Sequence, residues 1–91
     1  MALFYGKHKV QNFDTWAPYF YGDQDRLHNA GARTVSVMRS ATDPNEVHFI
    51  FEVSDPAAFF GALQSPEVGE LMQKAGVLEQ PVVYRLEEMP H

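Results

Sequence analysis

This 91-residue chain has four histidines, four tyrosines, one tryptophan and no cysteine to do chemistry with. Two of the histidines, His8 and His48, fall in segments that read as β-strands, where the backbone fixes a side chain's position. Imidazole titrates near neutral pH, so either could take or give a proton in an enolisation, a ring closure or an isomerisation. The alternative for each is a structural histidine held by hydrogen bonds. Tyr5 and Tyr84 stand in the predicted first and last strands and offer phenols as pocket walls or proton relays, although a strand tyrosine also packs with a wet tip. Trp16 could wall a planar substrate, and its spacing equally suits a helix core stripe. Met38 and Arg39 end the predicted second strand. The Arg39 guanidinium matches a carboxylate or phenolate, and it also stands close in sequence to Asp43 and Glu46 for an ordinary ion pair. The candidate catalytic residues are therefore His8 and His48. The candidate substrate contacts are Tyr5, Trp16, Met38, Arg39 and Tyr84.

Several kinds of chemistry are disfavoured. Without cysteine there is no thiol nucleophile, disulfide or zinc-thiolate site. His8, His48 and Glu52 could meet in space, but no metal-ligand spacing such as His-Glu-x-x-His occurs, and no metal is expected. No glycine-rich phosphate loop or nucleophile elbow is present, and no cofactor is implied. Twelve acidic residues against seven scattered basic ones give a net charge of −5, which disfavours nucleic acid and anionic membranes as partners. No apolar run approaches the length of a membrane span. The first residues lack the basic start and apolar stretch of a signal peptide. With the absence of cysteine, this gives a cytoplasmic protein as the expectation.

The elements that must position these side chains follow from periodicity. Residues 2–10 read as a strand, but its two alternating sets are ambiguous. Phe4, Gly6, His8 and Val10 oppose Leu3, Tyr5, Lys7 and Lys9, and either set could face the core. Asn12 and Asp14 supply N-cap chemistry for a helix with the stripe Trp16, Phe20, Leu27 and Ala30. Pro18 is expected in its first turn and Gly31 at its end. Tyr19 and Tyr21 fall off the stripe and are expected at an opening or a dimer rim.

Residues 33–40 and 46–53 alternate as strands around the turn Thr42-Asp43-Pro44-Asn45, which makes a hairpin. Pairing Arg39 with Val47 puts Val35, Val37, Phe49, Phe51 and Val53 on one face. Thr34, Ser36, Met38, His48, Ile50 and Glu52 then share the other. Asp55-Pro56 and Ser65-Pro66 each start a helical piece, and the two are expected to form one bent segment that ends at Gly76. A last strand runs from Val82 to Glu87.

Strand, helix, strand, strand, helix, strand is the ferredoxin-like βαββαβ order of an α+β domain. Its antiparallel sheet has four strands and carries the helices on one face. All 91 residues form one domain. The opposite face holds Met38, His48 and Ile50. A second copy of the sheet is the simplest cover for its apolar groups, so a homodimer is expected; a solvated face is the alternative.

This pattern resembles the dimeric α+β barrel superfamily, which includes antibiotic biosynthesis monooxygenase-like domains. The segments that carry the resemblance are Lys7-His8-Lys9-Val10 with Phe13-Asp14-Thr15-Trp16, Arg39-Ser40 with Asp43-Pro44-Asn45-Glu46-Val47, Ser65-Pro66-Glu67, and Ala75-Gly76-Val77. They resemble small bacterial proteins labelled cyclase or monooxygenase-like. The resemblance implies a dimeric barrel with a pocket between sheet and helices. Haem-degrading members use an Asn, a Trp and a His, but Asn12 and Trp16 do not fall into that pattern with any histidine here, so haem is not carried over.

Two functions stay open. One is a cofactor-independent monooxygenase or cyclase acting on a small aromatic or polyketide-like molecule. In that case either histidine acts as acid or base and Tyr5, Trp16 and Tyr84 form the walls of one cavity. The other is a non-catalytic dimer that binds a small ligand or another protein.

Overall fold

A computed structural model describes residues 2–91. The elements are β1 (Ala2–Lys9), α1 (Phe13–Gly22), α2 (Gln24–Asn29), β2 (Ala32–Arg39), β3 (Glu46–Val53), α3 (Pro56–Leu63), α4 (Pro66–Lys74) and β4 (Val82–Leu86). The four strands form one antiparallel sheet in the order β2-β3-β1-β4, the split βαβ arrangement of a ferredoxin-like fold.

Alternation along the central strands decides which face the helices cover. Phe4, Gly6 and His8 of β1 and Val10 just beyond it are buried beneath the helices, as are Val47, Phe49, Phe51 and Val53 of β3. Trp16 of α1 and Phe59 of α3 close over them. The rings make tilted and edge-on pairs, such as Phe4 with Phe60 at 5.2 Å and Phe49 with Phe51 at 5.0 Å. Such pairs add to the apolar area they remove from water.

Arg39 pairs with Val47, the register expected from the hairpin, but that register does not run the length of β2. A bulge lies between Thr34 and Ser36, with Thr34 opposite Phe51 and Ser36 opposite Ile50. One extra residue shifts the alternation. Val35, expected on the covered face, is instead 46% exposed. Thr34, expected on the open face, turns inward and donates from its hydroxyl to Gln24 Oε1 at 2.9 Å.

The first helix also differs from expectation. Asn12 caps α1 by accepting from the Thr15 N–H at 3.1 Å, which places Pro18 in the second turn rather than the first. The chain then breaks at Asp23, whose N–H donates to the Phe20 carbonyl, and resumes as α2. The second helical segment, expected as one bent piece, is two separately capped helices that break at Gln64-Ser65. Asp55 caps α3 and Ser65 caps α4, each accepting from an N–H three residues on. Asn45 ties three elements together. Its side-chain oxygen accepts from the Phe13 N–H at 2.9 Å, and its carbonyl accepts from the Val10 N–H at 2.9 Å.

Gly6 is the close-approach point of the sheet, because the Phe49 ring lies directly over its Cα. A methyl group there would collide with that ring, which is itself packed among core aromatics. Gly6→Ala should therefore lower unfolding stability by about 1–3 kcal/mol, the usual cost of overpacking a filled core. Urea denaturation of the two proteins measures this; an unchanged midpoint would show that Phe49 is free to move.

Candidate functional site

The sequence's candidate residues separate onto the two faces of the sheet. His8 and Trp16 lie on the covered face, whereas His48, Tyr5, Met38 and Tyr84 lie on the open one. One cavity shared by both histidines, as expected from the sequence, does not form. β1 and β3 run antiparallel with His8 opposite Val47 and Lys7 opposite His48, so the two imidazoles project from opposite sides. Among the described residues, no three His, Asp or Glu side chains come close enough to hold a metal.

On the covered face, helices and sheet leave a cavity of about 90 Å³. Nearly all of its wall is apolar, from Phe20, Phe49, Phe59, Leu71, Met72 and Val83 among others, with Trp16 alongside. His8 supplies the buried polar group. The residue is 5% exposed, and neither ring nitrogen has a hydrogen-bond partner. Trp16 meets its ring edge-on at 5.5 Å and Phe49 does so at 5.3 Å. Burial among these rings lowers the His8 imidazole from the ordinary 6.5 to about 4, because the charged form loses its water and gains no counter-charge. At neutral pH His8 is thus an uncharged imidazole with one N–H and one lone pair, both unsatisfied. Leaving such groups unpaired costs about 1–3 kcal/mol each, which makes the position unusual for a purely structural residue. The lining also includes Tyr19, 39% exposed, and Asp23 at the break between α1 and α2. Asp23 Oδ1 lies 3.0 Å from the Arg26 Nε.

On the open face, three side chains form a chain. The Tyr5 hydroxyl donates to His48 Nδ1 at 2.5 Å, and His48 Nε2 lies 2.8 Å from Glu46 Oε1. A carboxylate only accepts, so the proton of a neutral His48 sits on Nε2 and its Nδ1 receives the phenol. Tyr84 stacks on Tyr5 with ring centres 6.3 Å apart. Glu46 is the member that sequence reasoning missed. Its signal was the i, i+2 spacing to His48, which puts both residues on one face of a strand. Arg39 reaches neither site. Its guanidinium lies 4.8 Å above the Phe13 ring, a cation–π contact in place of the ion pair considered with Asp43 or Glu46. Asp43 pairs instead with Lys9 at 3.7 Å.

No protein-family model matches this sequence, and no curated protein matches it. Solved structures do resemble it over nearly its whole length. One is described as an antibiotic biosynthesis monooxygenase, with a TM-score of 0.68, 16% identity and coverage of 99% of this chain and 100% of that one. A second, from Bordetella bronchiseptica, is provisionally described in the same way (TM-score 0.75, 14% identity, 99% and 100% covered). A third is SnoaB, a cofactor-independent oxygenase from Streptomyces nogalater (TM-score 0.65, 15% identity, 97% and 94% covered). At these identities the likeness is one of backbone. The chain has the fold of the antibiotic biosynthesis monooxygenase-like α+β proteins.

Proposed function

We propose that the protein is a cofactor-independent monooxygenase or cyclase that holds a small aromatic or polyketide-like substrate in the helix-side cavity, with His8 as its acid–base group. The observation that carries this reading is the unpartnered His8 imidazole in the wall of an apolar cavity. A substrate hydroxyl there would donate to the free lone pair. An imidazole held near 4 is a weak base on its own. A phenolate or enolate formed beside it would stabilise the imidazolium through an attraction that little water screens. Such an electron-rich anion can react with oxygen directly or close a ring, so the protein's task is to bind, orient and deprotonate. Trp16 serves as a wall of this site.

The same low basicity favours a second reading, in which the cavity only binds its ligand and His8 supplies one hydrogen bond. Turnover by metal-free protein separates the two. Oxygen uptake with a panel of hydroxylated aromatics should be detectable, and His8→Leu should reduce it by about 10²–10⁴-fold, the usual worth of a positioned acid–base group. Binding without turnover across the panel would leave the second reading.

The ionisation of His8 should also appear in stability. Its folded pKa lies below its unfolded one, so the unfolded chain binds the proton first. Stability is full above about 6.5 and falls as the pH drops from there towards 4. The loss is about 3 kcal/mol at most, from the 1.36 kcal/mol carried by each pKa unit. Unfolding curves across that range should show the loss in the wild type and a smaller one in His8→Leu.

The open face supports a homodimer. Tyr84 is 56% exposed, Met38 46%, Val82 and Leu86 40% each, and Leu3 and Ile50 lie among them. The polar chain Tyr5–His48–Glu46 crosses this surface with its hydrogen bonds already made within one protomer, which lowers the cost of covering it. Tyr5, His48, Met38 and Tyr84 are thereby proposed as interface residues as much as substrate contacts. Ile50→Lys should convert a dimer into a monomer in sedimentation velocity. A wild type that is monomeric at micromolar concentration would contradict the dimer.

A further inference from the structure

The lining of the cavity carries no positive charge. Among the described residues, no lysine or arginine contributes to it, and Asp23 is its single charged side chain. Arg26, which pairs with Asp23 at 3.0 Å, lies outside the lining with its side chain 44% exposed. The remaining polar groups are the His8 imidazole and the Trp16 indole N–H, both on buried residues, and the Tyr19 hydroxyl, on a residue 39% exposed.

We propose that this cavity selects its ligand by charge: it takes an uncharged ring whose hydroxyl is directed at His8, and it excludes rings that bear a carboxylate or phosphate. The proposal rests on the reading of the cavity as the substrate site and narrows the class of substrate it takes. A hydroxyl entering the cavity trades its water for the free lone pair of His8, so a polar group is satisfied on each side. A carboxylate could accept only from the free His8 N–H, and one neutral donor offsets little of the hydration that a charged group loses. The carboxylate would lose its hydration to an apolar wall with no guanidinium or ammonium to receive it. It would also share the cavity with the Asp23 carboxylate, on a chain whose net charge is −5. Only protonation of His8 could supply a counter-charge, and the surrounding Trp16 and Phe49 rings oppose that. At about 90 Å³ the cavity is small even for one ring, so a ligand would have to extend beyond it.

Trp16 is the chain's one tryptophan and lies in the cavity wall, so its indole N–H gives a single, site-specific NMR signal. Protein labelled with ¹⁵N would be titrated at neutral pH with 4-methylphenol, toluene and 4-methylbenzoate, which share a ring and differ in one group. 4-Methylphenol should move the Trp16 signal at lower concentration than toluene. 4-Methylbenzoate should bind at least about tenfold more weakly than 4-methylphenol, and Asp23→Asn should narrow that gap. Equal or tighter binding of 4-methylbenzoate would overturn charge selection while leaving the cavity as the site. Equal binding of toluene and 4-methylphenol would overturn the hydroxyl–His8 contact, and a gap unchanged in Asp23→Asn would overturn the part assigned to Asp23. If none of the three moves the Trp16 signal, the cavity is not the ligand site, and the proposal falls with that reading.

Discussion

The side-chain alternation of β1 governs the rest of the structure. A strand paired on both edges, with helices over one face, must send every second residue under those helices. In β1 and the residue just past it these are Phe4, Gly6, His8 and Val10. Three of them suit an apolar interior and one does not. Gly6 gives up its side chain so that the Phe49 ring can lie against the strand, and Phe49 in turn meets His8 edge-on. The imidazole therefore sits where packing is dense on its aromatic sides and absent towards the cavity. Its missing hydrogen bonds, its uncharged state and its place in the cavity wall all follow from that one strand phase.

The same phase sends Tyr5 and Lys7 outward beside His48 and Tyr84, and so gives the open face its character. A sheet of this kind is asymmetric in its demands. The covered side leaves His8 unsatisfied, whereas the open side satisfies Tyr5, His48 and Glu46 among themselves before anything covers them. An unsatisfied buried group invites a ligand, and a satisfied chain on an apolar surface suits burial by another protein surface. The two histidines thus belong to different tasks, although their residue type and strand context looked alike in the sequence.

Much of the fold was legible because local signals agreed with one another. The hairpin turn at Thr42-Asp43-Pro44-Asn45 fixed the pairing of Arg39 with Val47, and the two proline-led caps located both pieces of the second helical segment. The misses have physical causes. Thr34-Val35-Ser36-Val37 alternates as well with a bulge as without one, so the inward turn of Thr34 left no mark. Both sets of β1 read as plausible interior faces, so the placement of His8 needed the tertiary structure. The cavity draws its wall from all four helices and from β1, β3 and β4, and its lack of cations belongs to no single segment.

The account rests on an imidazole that stays uncharged because it is buried without a partner. NMR titration of the His8 ring nitrogens in the folded protein tests this directly. The account predicts that His8 remains neutral through the ordinary histidine range and takes its proton only near pH 4. A midpoint close to 6.5 would mean that water or a protein group reaches the ring. It would remove the basis for placing the substrate's hydroxyl there.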